Sequence, residues 1–148
     1  MKIKVMPPMI FYIFIMFSLI LNFIFPIKRV IVYPYNFLGI IVILFGLVID
    51  IWAWTLFRKR KTTLNPYKIP SKLEIGSIFK ISRNPMYLGM DLVLWGVSIF
   101  LGSLITFIFP IIFILIINKL FIVLEEKSLE KRFGKKYLDY KKKVRRWI

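Results

Sequence analysis

Two short polar stretches carry the residues that could hold a charged small molecule. In the first, residues 82–91, Arg83 and Asn84 precede Pro85 at the start of an apolar segment. Asn favours the N-cap of a helix and Pro fits its first turn, so the pair predicts a helix beginning at Pro85 with Asn84 as its cap. The free N–H groups of that turn, beside the permanent charge of Arg83, are suited to binding an anion.

The second stretch is the acid pair Glu125-Glu126, which stands between an apolar segment and a strongly basic tail. Carboxylates at this boundary either line a ligand site or neutralise nearby cations such as Lys127, Lys131 and Arg132. A pair of acids is not needed to set the topology, which favours the ligand site. The chain has no His and no Cys, so it lacks the commonest general base and the usual ligands of transition metals, and no metal is expected.

The composition indicates in which class of protein these two stretches lie. The 148 residues are 59% hydrophobic, against about 45–50% in an ordinary soluble domain, yet the net charge is +16. The charge is segregated: of 23 Lys and Arg, eight lie in residues 58–83 and ten in residues 125–148. This pattern predicts an all-α integral membrane protein with basic segments on one face. We expect one membrane domain over residues 1–148, with two spans in 1–57 and the functional core in 58–148.

Hydrophobic segments predict about four transmembrane helices, at residues 9–25, 37–57, 85–101 and 104–124. The first is expected to be an uncleaved anchor because no small-residue cleavage site follows it. Gly39 and Gly46 lie seven residues apart in the second helix, as do Gly89 and Gly96 in the third, and both spacings favour close helix contact. Pro110 would kink the fourth helix unless a neighbour satisfies the freed carbonyl.

The short turn at Gly102-Ser103 forces the third and fourth helices into an antiparallel hairpin, which returns the acid pair to the membrane face of Arg83. The positive-inside rule places that face, both termini and the basic segment 58–61 in the cytoplasm. The long loop 62–82 is expected to lie on the bilayer surface. Two acidic residues fall inside spans. We expect Asp91 to pair with Arg83 or another cation, and Asp50 either to reach the headgroups or to have a pairing or functional role.

The fourth helix should continue to Phe133 and stop at Gly134. Beyond it, residues 135–148 mix aromatic side chains with lysines and arginines, a pattern typical of a basic interfacial helix on anionic headgroups. On this interpretation Tyr137 and Tyr140 anchor the helix in the membrane interface.

Three segments, taken together, carry a family resemblance: residues 83–89 (Arg-Asn-Pro-Met-Tyr-Leu-Gly), 125–129 (Glu-Glu-Lys-Ser-Leu) and 133–140 (Phe-Gly-Lys-Lys-Tyr-Leu-Asp-Tyr). Their order and spacing resemble the isoprenylcysteine carboxyl methyltransferase family, with its phospholipid methyltransferase and NnrU-like relatives. That family shows Arg-His-Pro-x-Tyr-x-Gly, a helical hairpin, Glu-Glu-x-x-Leu and Phe-Gly-x-x-Tyr-x-x-Tyr. The resemblance covers residues 62–148. Asn84 stands where many members have His, so no acid–base role is expected at this position.

The resemblance implies a membrane enzyme that uses S-adenosylmethionine. The cofactor-binding set that it implies is Arg83, Asn84, Pro85, Tyr87, Gly89, Glu125 and Glu126. In this set Arg83 suits the cofactor carboxylate, a glutamate suits the ribose hydroxyls or the ammonium, and Tyr87 suits the adenine or the sulfonium. Gly89 has helix packing as its alternative role. The catalytic residues stay open beyond positioning by Arg83 and Glu125.

The expected reaction is methyl transfer to a lipophilic acceptor, a carboxylate or a lipid amine, at the cytoplasmic membrane face. A carboxylate acceptor is already ionised at neutral pH and needs no base. Two alternatives remain: an NADPH-dependent membrane oxidoreductase similar to the sterol reductases, and a non-enzymatic membrane protein whose tail binds anionic lipid. No nucleic-acid partner is expected. The Glu-Glu-x-x-Leu segment favours the methyltransferase, while the acceptor and the oligomeric state stay open.

Overall fold

The computed structural model describes residues 5–25, 27–60 and 72–148, and every regular element within these ranges is helical. The first ten residues of the loop expected on the bilayer surface, residues 62–71, lie outside the described residues. The helices are α1 (Pro7–Ile24), α2 (Leu38–Arg60), α3 (Pro85–Leu101), α4 (Ile108–Ile117), α5 (Val123–Phe133) and α6 (Lys135–Lys143). Short 3-10 turns lie at Tyr35–Phe37, Ser77–Lys80 and Leu104–Phe107, and a π-helical segment, Asn118–Ile122, joins α4 to α5.

Three helical segments of the described chain are long and apolar enough to cross a membrane: Pro7–Ile24, Tyr35–Lys59 and the continuous stretch Leu104–Phe133. The remaining apolar helix, α3, has 17 residues and is shorter. Large apolar side chains point outward around the bundle, among them Phe23 at 79%, Ile41 at 64% and Leu115 at 63% exposure. An outer surface of this kind is stable in lipid, so the prediction of an all-α membrane protein is confirmed.

Helices α2 and α3 are joined through their glycines. A Cβ added at Gly46 would lie 2.7 Å from Gly89 O, and one added at Gly96 would lie 2.7 Å from Gly39 O. The two pairs therefore face each other across antiparallel helices, and each backbone fills the space that a side chain would need. The predicted close contact is confirmed, and both glycine faces are used within one chain.

Helix α3 lies at the centre of the bundle. Its other side packs against α1 and α4. The core there is built from apolar side chains of all three helices, including Phe11, Leu94 and Phe113, and continues along the π-helical segment to Phe121 and Ile122. Because α3 is surrounded in this way, residues at its start are held on several sides.

The two connections that lie away from the start of α3 meet at one end of the bundle. Gly102 ends α3 in the left-handed conformation, at φ 69°, and its carbonyl accepts a hydrogen bond of 2.8 Å from Val30 N. Ser103 Oγ donates to Ile27 O at 3.1 Å. The predicted hairpin is therefore present, and the start of α1, the end of α2, the start of α3 and α5 gather at the opposite end.

Pro110 lies in the first turn of α4, and the carbonyl that its missing N–H leaves free is that of Thr106. Ser98 Oγ lies 2.9 Å from this oxygen and 2.9 Å from Leu94 O, so its one hydroxyl hydrogen is shared between the two carbonyls. Further along, α5 ends at Phe133 and Gly134 follows at φ 49°, as the sequence predicts.

Helix α6 packs against the protein through its aromatic residues. Tyr137 and Tyr140 are 2% and 8% exposed, in a cluster with Ile49 and Ala53 of α2 and Phe79. The prediction that the two tyrosines anchor in the membrane interface is wrong. The exposed side of α6 carries its lysines, and the contact of that side with headgroups stays a prediction.

The two intramembrane acids lie on the facing helices α2 and α3. Asp91 is 4% exposed, and its Oδ2 accepts a 3.1 Å hydrogen bond from Trp95 Nε1, one helical turn along α3. The expected pairing of Asp91 with Arg83 is wrong, because Arg83 pairs with Glu126. Asp50 lies against Gly89 in the glycine contact, and its role stays open.

Candidate active site at one end of the bundle

A cavity of about 350 Å³ lies where the start of α1, the end of α2, the start of α3, α5 and α6 meet. Its volume falls within the range of small-molecule sites. Apolar side chains form much of the wall, namely Met6, Pro7, Pro8, Trp54, Phe57, Leu73, Phe79, Pro85, Met86, Met90 and Leu129. The polar side chains of the lining are Lys72, Glu74, Arg83, Asn84, Tyr87, Glu125, Glu126, Ser128, Tyr137 and Tyr140.

The polar residues before α3 are fixed by contacts with the chain beyond α6. Asn84 occupies the N-cap position, but its side chain does not cap the helix; Asn84 Nδ2 instead donates a 3.0 Å hydrogen bond to Arg146 O. The capping role expected for Asn84 is therefore wrong. Ser82 Oγ accepts from Asn84 N at 3.1 Å, and Pro85 begins α3 as predicted.

An ion cluster lies on one side of the cavity around Glu126. Glu126 Oε1 is 3.0 Å from Arg83 Nη1, and both side chains are less than a tenth exposed. Arg146 binds the same carboxylate in bidentate fashion, Nε to Oε1 at 2.9 Å and Nη2 to Oε2 at 2.8 Å, and these hydrogen bonds raise the pKa of Arg146. Lys141 Nζ lies 3.7 Å from Oε2. Such a carboxylate is fully satisfied by charge-assisted hydrogen bonds.

Glu125 has different surroundings from its neighbour. Its Oε1 accepts a hydrogen bond of 2.6 Å from Tyr87 OH, which links α5 to the first turn of α3 across the cavity. The two acids of the pair therefore have different partners, since Glu126 is bound by cations and Glu125 by a neutral phenol.

Two further phenols of α6 complete the wall. Arg83 Nη1 donates to Tyr137 OH at 3.3 Å, and Tyr140 OH donates to Phe79 O at 2.6 Å. Burial raises the pKa of Tyr137 to about 12 and raises that of Tyr140 as well, so both phenols are neutral at physiological pH. They hold α6 against the 3-10 turn Ser77–Lys80 and against the Arg83 guanidinium.

Six of the seven residues expected in the cofactor set line this one cavity: Arg83, Asn84, Pro85, Tyr87, Glu125 and Glu126. Gly89 is not among the lining residues and packs against Gly46 and Asp50 of α2, so its alternative role in helix contact describes its position. The sequence interpretation missed Tyr137, Tyr140 and Arg146. The two tyrosines could have been found from the Phe-Gly-x-x-Tyr-x-x-Tyr segment, whereas nothing in the sequence separates Arg146 from the other cations of the tail.

Comparison with known proteins decides the family. The family model described as phospholipid methyltransferase matches residues 35–136, which is more than half of the chain. This chain belongs to the phospholipid methyltransferase family. Membership in the phospholipid methyltransferase family implies membrane methyltransferase activity. The matched range includes the starting turn of α3 and the acid pair, whereas α1 and Arg146 lie outside it.

One similar protein aligns with less than half of this chain. An uncharacterized protein of Haemophilus influenzae is 46% identical over 63 residues, which is 43% of this chain and the whole of that protein. No solved structure matches the chain.

Proposed function

We propose that this phospholipid methyltransferase family member transfers a methyl group from S-adenosylmethionine to a lipophilic acceptor at the cytoplasmic membrane face. The observation that carries the proposal is one cavity lined by Arg83, Glu125 and Glu126 together with apolar residues of the membrane helices. Its end of the bundle also holds cations such as Arg58, Lys59 and Lys72. The positive-inside rule supports the cytoplasmic orientation.

The side chains fit an S-adenosyl cofactor group by group. Among the described residues, Arg83 Nε is buried and has no hydrogen-bond partner, so the guanidinium keeps a donor for the carboxylate of the cofactor. Glu125 suits the ribose hydroxyls or the ammonium. Tyr87, Phe79 and Trp54 give the cavity aromatic surface suited to an adenine ring.

The bound cofactor supplies a methyl group activated by a sulfonium. The chain itself has to hold the acceptor in line with that methyl group, and such positioning accounts for much of the rate enhancement in a direct displacement. When the acceptor is a carboxylate, opposite charges disappear as the reaction proceeds, so the apolar walls favour it by excluding water. The neutral phenols of Tyr137 and Tyr140 add hydrogen-bonding groups without adding charge.

The wall formed by α1 and α2 supports a lipophilic acceptor. Met6, Pro7 and Pro8 of the α1 region and Trp54 and Phe57 of α2 line the cavity on helices whose other sides face lipid. A carboxylate acceptor there needs no base. A lipid amine would have to lose a proton. Of the carboxylates in the lining, Glu126 is bound by Arg83 and Arg146, so Glu74 and Glu125 are the candidates to accept it.

The test is calorimetric titration of the purified protein in detergent with S-adenosylmethionine. We expect saturable binding by the wild type, a loss of at least about tenfold in affinity in Arg83→Met and Glu125→Gln, and unchanged binding in Lys142→Met, an exposed cation of α6. No binding by a correctly folded wild type would contradict the proposal. Protection from heat unfolding by NADPH but not by S-adenosylmethionine would favour the reductase alternative.

A further inference from the structure

The segment after α6 returns to the start of α3. Arg83 N donates a 3.0 Å hydrogen bond to Arg145 O. Ser82 Oγ and Asn84 Nδ2 both donate to Arg146 O, each at 3.0 Å. Three donors of the loop that carries Arg83 are therefore committed to two consecutive carbonyls, which fixes the main chain of residues 145 and 146 against that loop.

The next residue is held as well. Trp147 packs against the hydrophobic core between α1, α3 and the helix that runs from α4 to α5. Arg146 thus lies between a hydrogen-bonded main chain on one side and a partly buried indole on the other. These contacts restrict the positions open to the Arg146 guanidinium, which binds Glu126.

The Arg146 guanidinium places Glu126 between two cations. Arg146 occupies Oε1 and Oε2 of the carboxylate, and Oε1 is shared with Arg83 Nη1. A side-on bidentate pair fixes the plane of a carboxylate as well as its position. The plane of Glu126 in turn fixes the guanidinium of Arg83, which is less than a tenth exposed.

The charge balance of the cluster has a consequence for ligand binding. With Arg146 present, one carboxylate is shared by two guanidinium groups, and Arg83 retains net positive charge toward the cavity. Lys141, the third cation near Glu126, is balanced by Glu130, with which it also pairs. Without Arg146, the Arg83–Glu126 pair is therefore neutral, and it attracts an anionic ligand group far less strongly in a poorly solvated site.

We propose that Arg146 is a positioning residue for the carboxylate end of the cofactor, acting through Glu126 on the orientation and the charge of Arg83. The inference rests on the proposed function, because it assigns Arg83 to that carboxylate. It extends the site beyond the range matched by the family model to a residue that does not line the cavity.

The experiment compares two ligands that differ in the amino-acid end, whose carboxylate is the group assigned to Arg83. S-adenosylhomocysteine carries the amino-acid end, and 5′-methylthioadenosine lacks it. Dissociation constants of both are measured by calorimetry for the wild type, Arg146→Met, Arg146→Lys and the matched control Arg145→Met. Arg145 carries the same charge one residue earlier and is exposed, and its carbonyl, which accepts from Arg83 N, is retained in Arg145→Met.

We expect Arg146→Met to weaken the binding of S-adenosylhomocysteine by about 10- to 100-fold, the range typical of metal sites when a hydrogen-bonding partner of a metal ligand is removed. The dissociation constant of methylthioadenosine should change by less than about twofold. Arg145→Met should leave both dissociation constants unchanged. Arg146→Lys keeps the charge without the bidentate geometry, so its effect on S-adenosylhomocysteine should lie between those of the wild type and Arg146→Met. Equal weakening of both ligands, or equal effects of Arg145→Met and Arg146→Met, would overturn the inference.

A double variant covers the case in which Arg146→Met folds poorly. If Arg146 acts through Glu126, adding Arg146→Lys to Glu126→Gln should leave the dissociation constant of Glu126→Gln unchanged, whereas independent effects would add and contradict the inference. A folded wild type that binds neither ligand would remove the proposed function itself. That result differs from a wild type that binds S-adenosylhomocysteine while Arg146→Met binds it equally well.

Discussion

The two sides of α3 contact the neighbouring helices in opposite ways. Toward α2, four glycines allow the backbones to touch, and the contact leaves no room for even one added Cβ. Toward α5, the start of α3 is separated from its neighbour by a cavity of about 350 Å³ and joined to it by a buried ion cluster and the Tyr87–Glu125 hydrogen bond. We call these the glycine side and the polar side.

The difference shows which property each side contributes. Close packing of backbones has few alternative arrangements, so the glycine side holds α3 rigidly on α2. The polar side consists of a few directional contacts around a space, which is the arrangement that a binding site needs. If this division is correct, changes on the glycine side should remove the fold. Changes on the polar side should leave a folded protein that binds more weakly, and that loses some stability where the buried ion cluster is broken.

The largest effect is expected from Gly96→Leu on the glycine side. An added Cβ would lie 2.7 Å from Gly39 O and from Ile43 N, so the two helices would have to separate. We expect a loss of stability above the usual 1–3 kcal/mol of overpacking, and little folded protein in detergent by circular dichroism and size exclusion. Leu44→Ala on the exposed surface of α2 is the control. Normal folding of Gly96→Leu would contradict the division.

On the polar side, Glu126→Gln should have the next largest effect. The change leaves Arg83 and Arg146 facing each other without the carboxylate, and breaking a buried charge cluster costs roughly 3 kcal/mol. Glu130→Gln is the matched control, because Glu130 lies one turn along and pairs with Lys141 at a more exposed position worth about 1 kcal/mol or less. The measurement is the free energy of unfolding in detergent. Equal effects at the two positions would show that the cluster gives no special stability.

Tyr87→Phe should affect binding more than stability. It removes the hydroxyl that donates to Glu125 at 2.6 Å and leaves the ring in place. We expect roughly tenfold weaker binding of S-adenosylhomocysteine, corresponding to about 1.4 kcal/mol, with a smaller change in unfolding temperature. Tyr12→Phe on the exposed surface of α1 should leave binding unchanged. A fall in stability without a change in affinity would assign the Tyr87 hydroxyl to structure alone.

The smallest effect is expected at Ser98, which lies away from both the glycines and the cavity. Ser98→Ala removes the buried hydroxyl 2.9 Å from Thr106 O and should reduce the free energy of unfolding by about 1 kcal/mol. Ser128→Ala is the matched control, because its hydroxyl bonds a carbonyl one turn back at a more exposed position. A larger loss at Ser128 than at Ser98 would indicate that the freed carbonyl of Thr106 needs no partner.

Much of the fold could be predicted because the sequence marks it with unambiguous signals. Pro85 begins α3 because it lacks the N–H that a later helical position would need, and Gly102 ends it because glycine accepts a positive φ. The two glycine spacings predicted close contact. Their pairing with each other depends on the antiparallel arrangement of α2 and α3. The start of α1 and the residues around Glu74 could not be placed at the site, because nothing local in the sequence distinguishes them.

The site was predicted less completely, for physical reasons. Aromatic residues spaced along a lysine-rich helix suit a membrane surface and a protein surface equally well, which is why Tyr137 and Tyr140 were misplaced. Asp91 was expected to pair with a cation because burial of a carboxylate is costly, yet an indole at the next helical turn was also within reach. Arg146 is one of ten cations in residues 125–148, and only the fold-back of the chain selects it.

The π-helical segment Asn118–Ile122 determines where the acid pair points. One widened turn accommodates about one residue more than an α-helix, so it shifts the angular phase of everything downstream by roughly 100° about the helix axis. Glu125 and Glu126 follow this segment within a few residues. In a helix of the same sequence wound regularly throughout, both carboxylates would be rotated by more than a quarter of a revolution away from Tyr87 and Arg83. The π-helical turn therefore determines which side of the helix faces the start of α3.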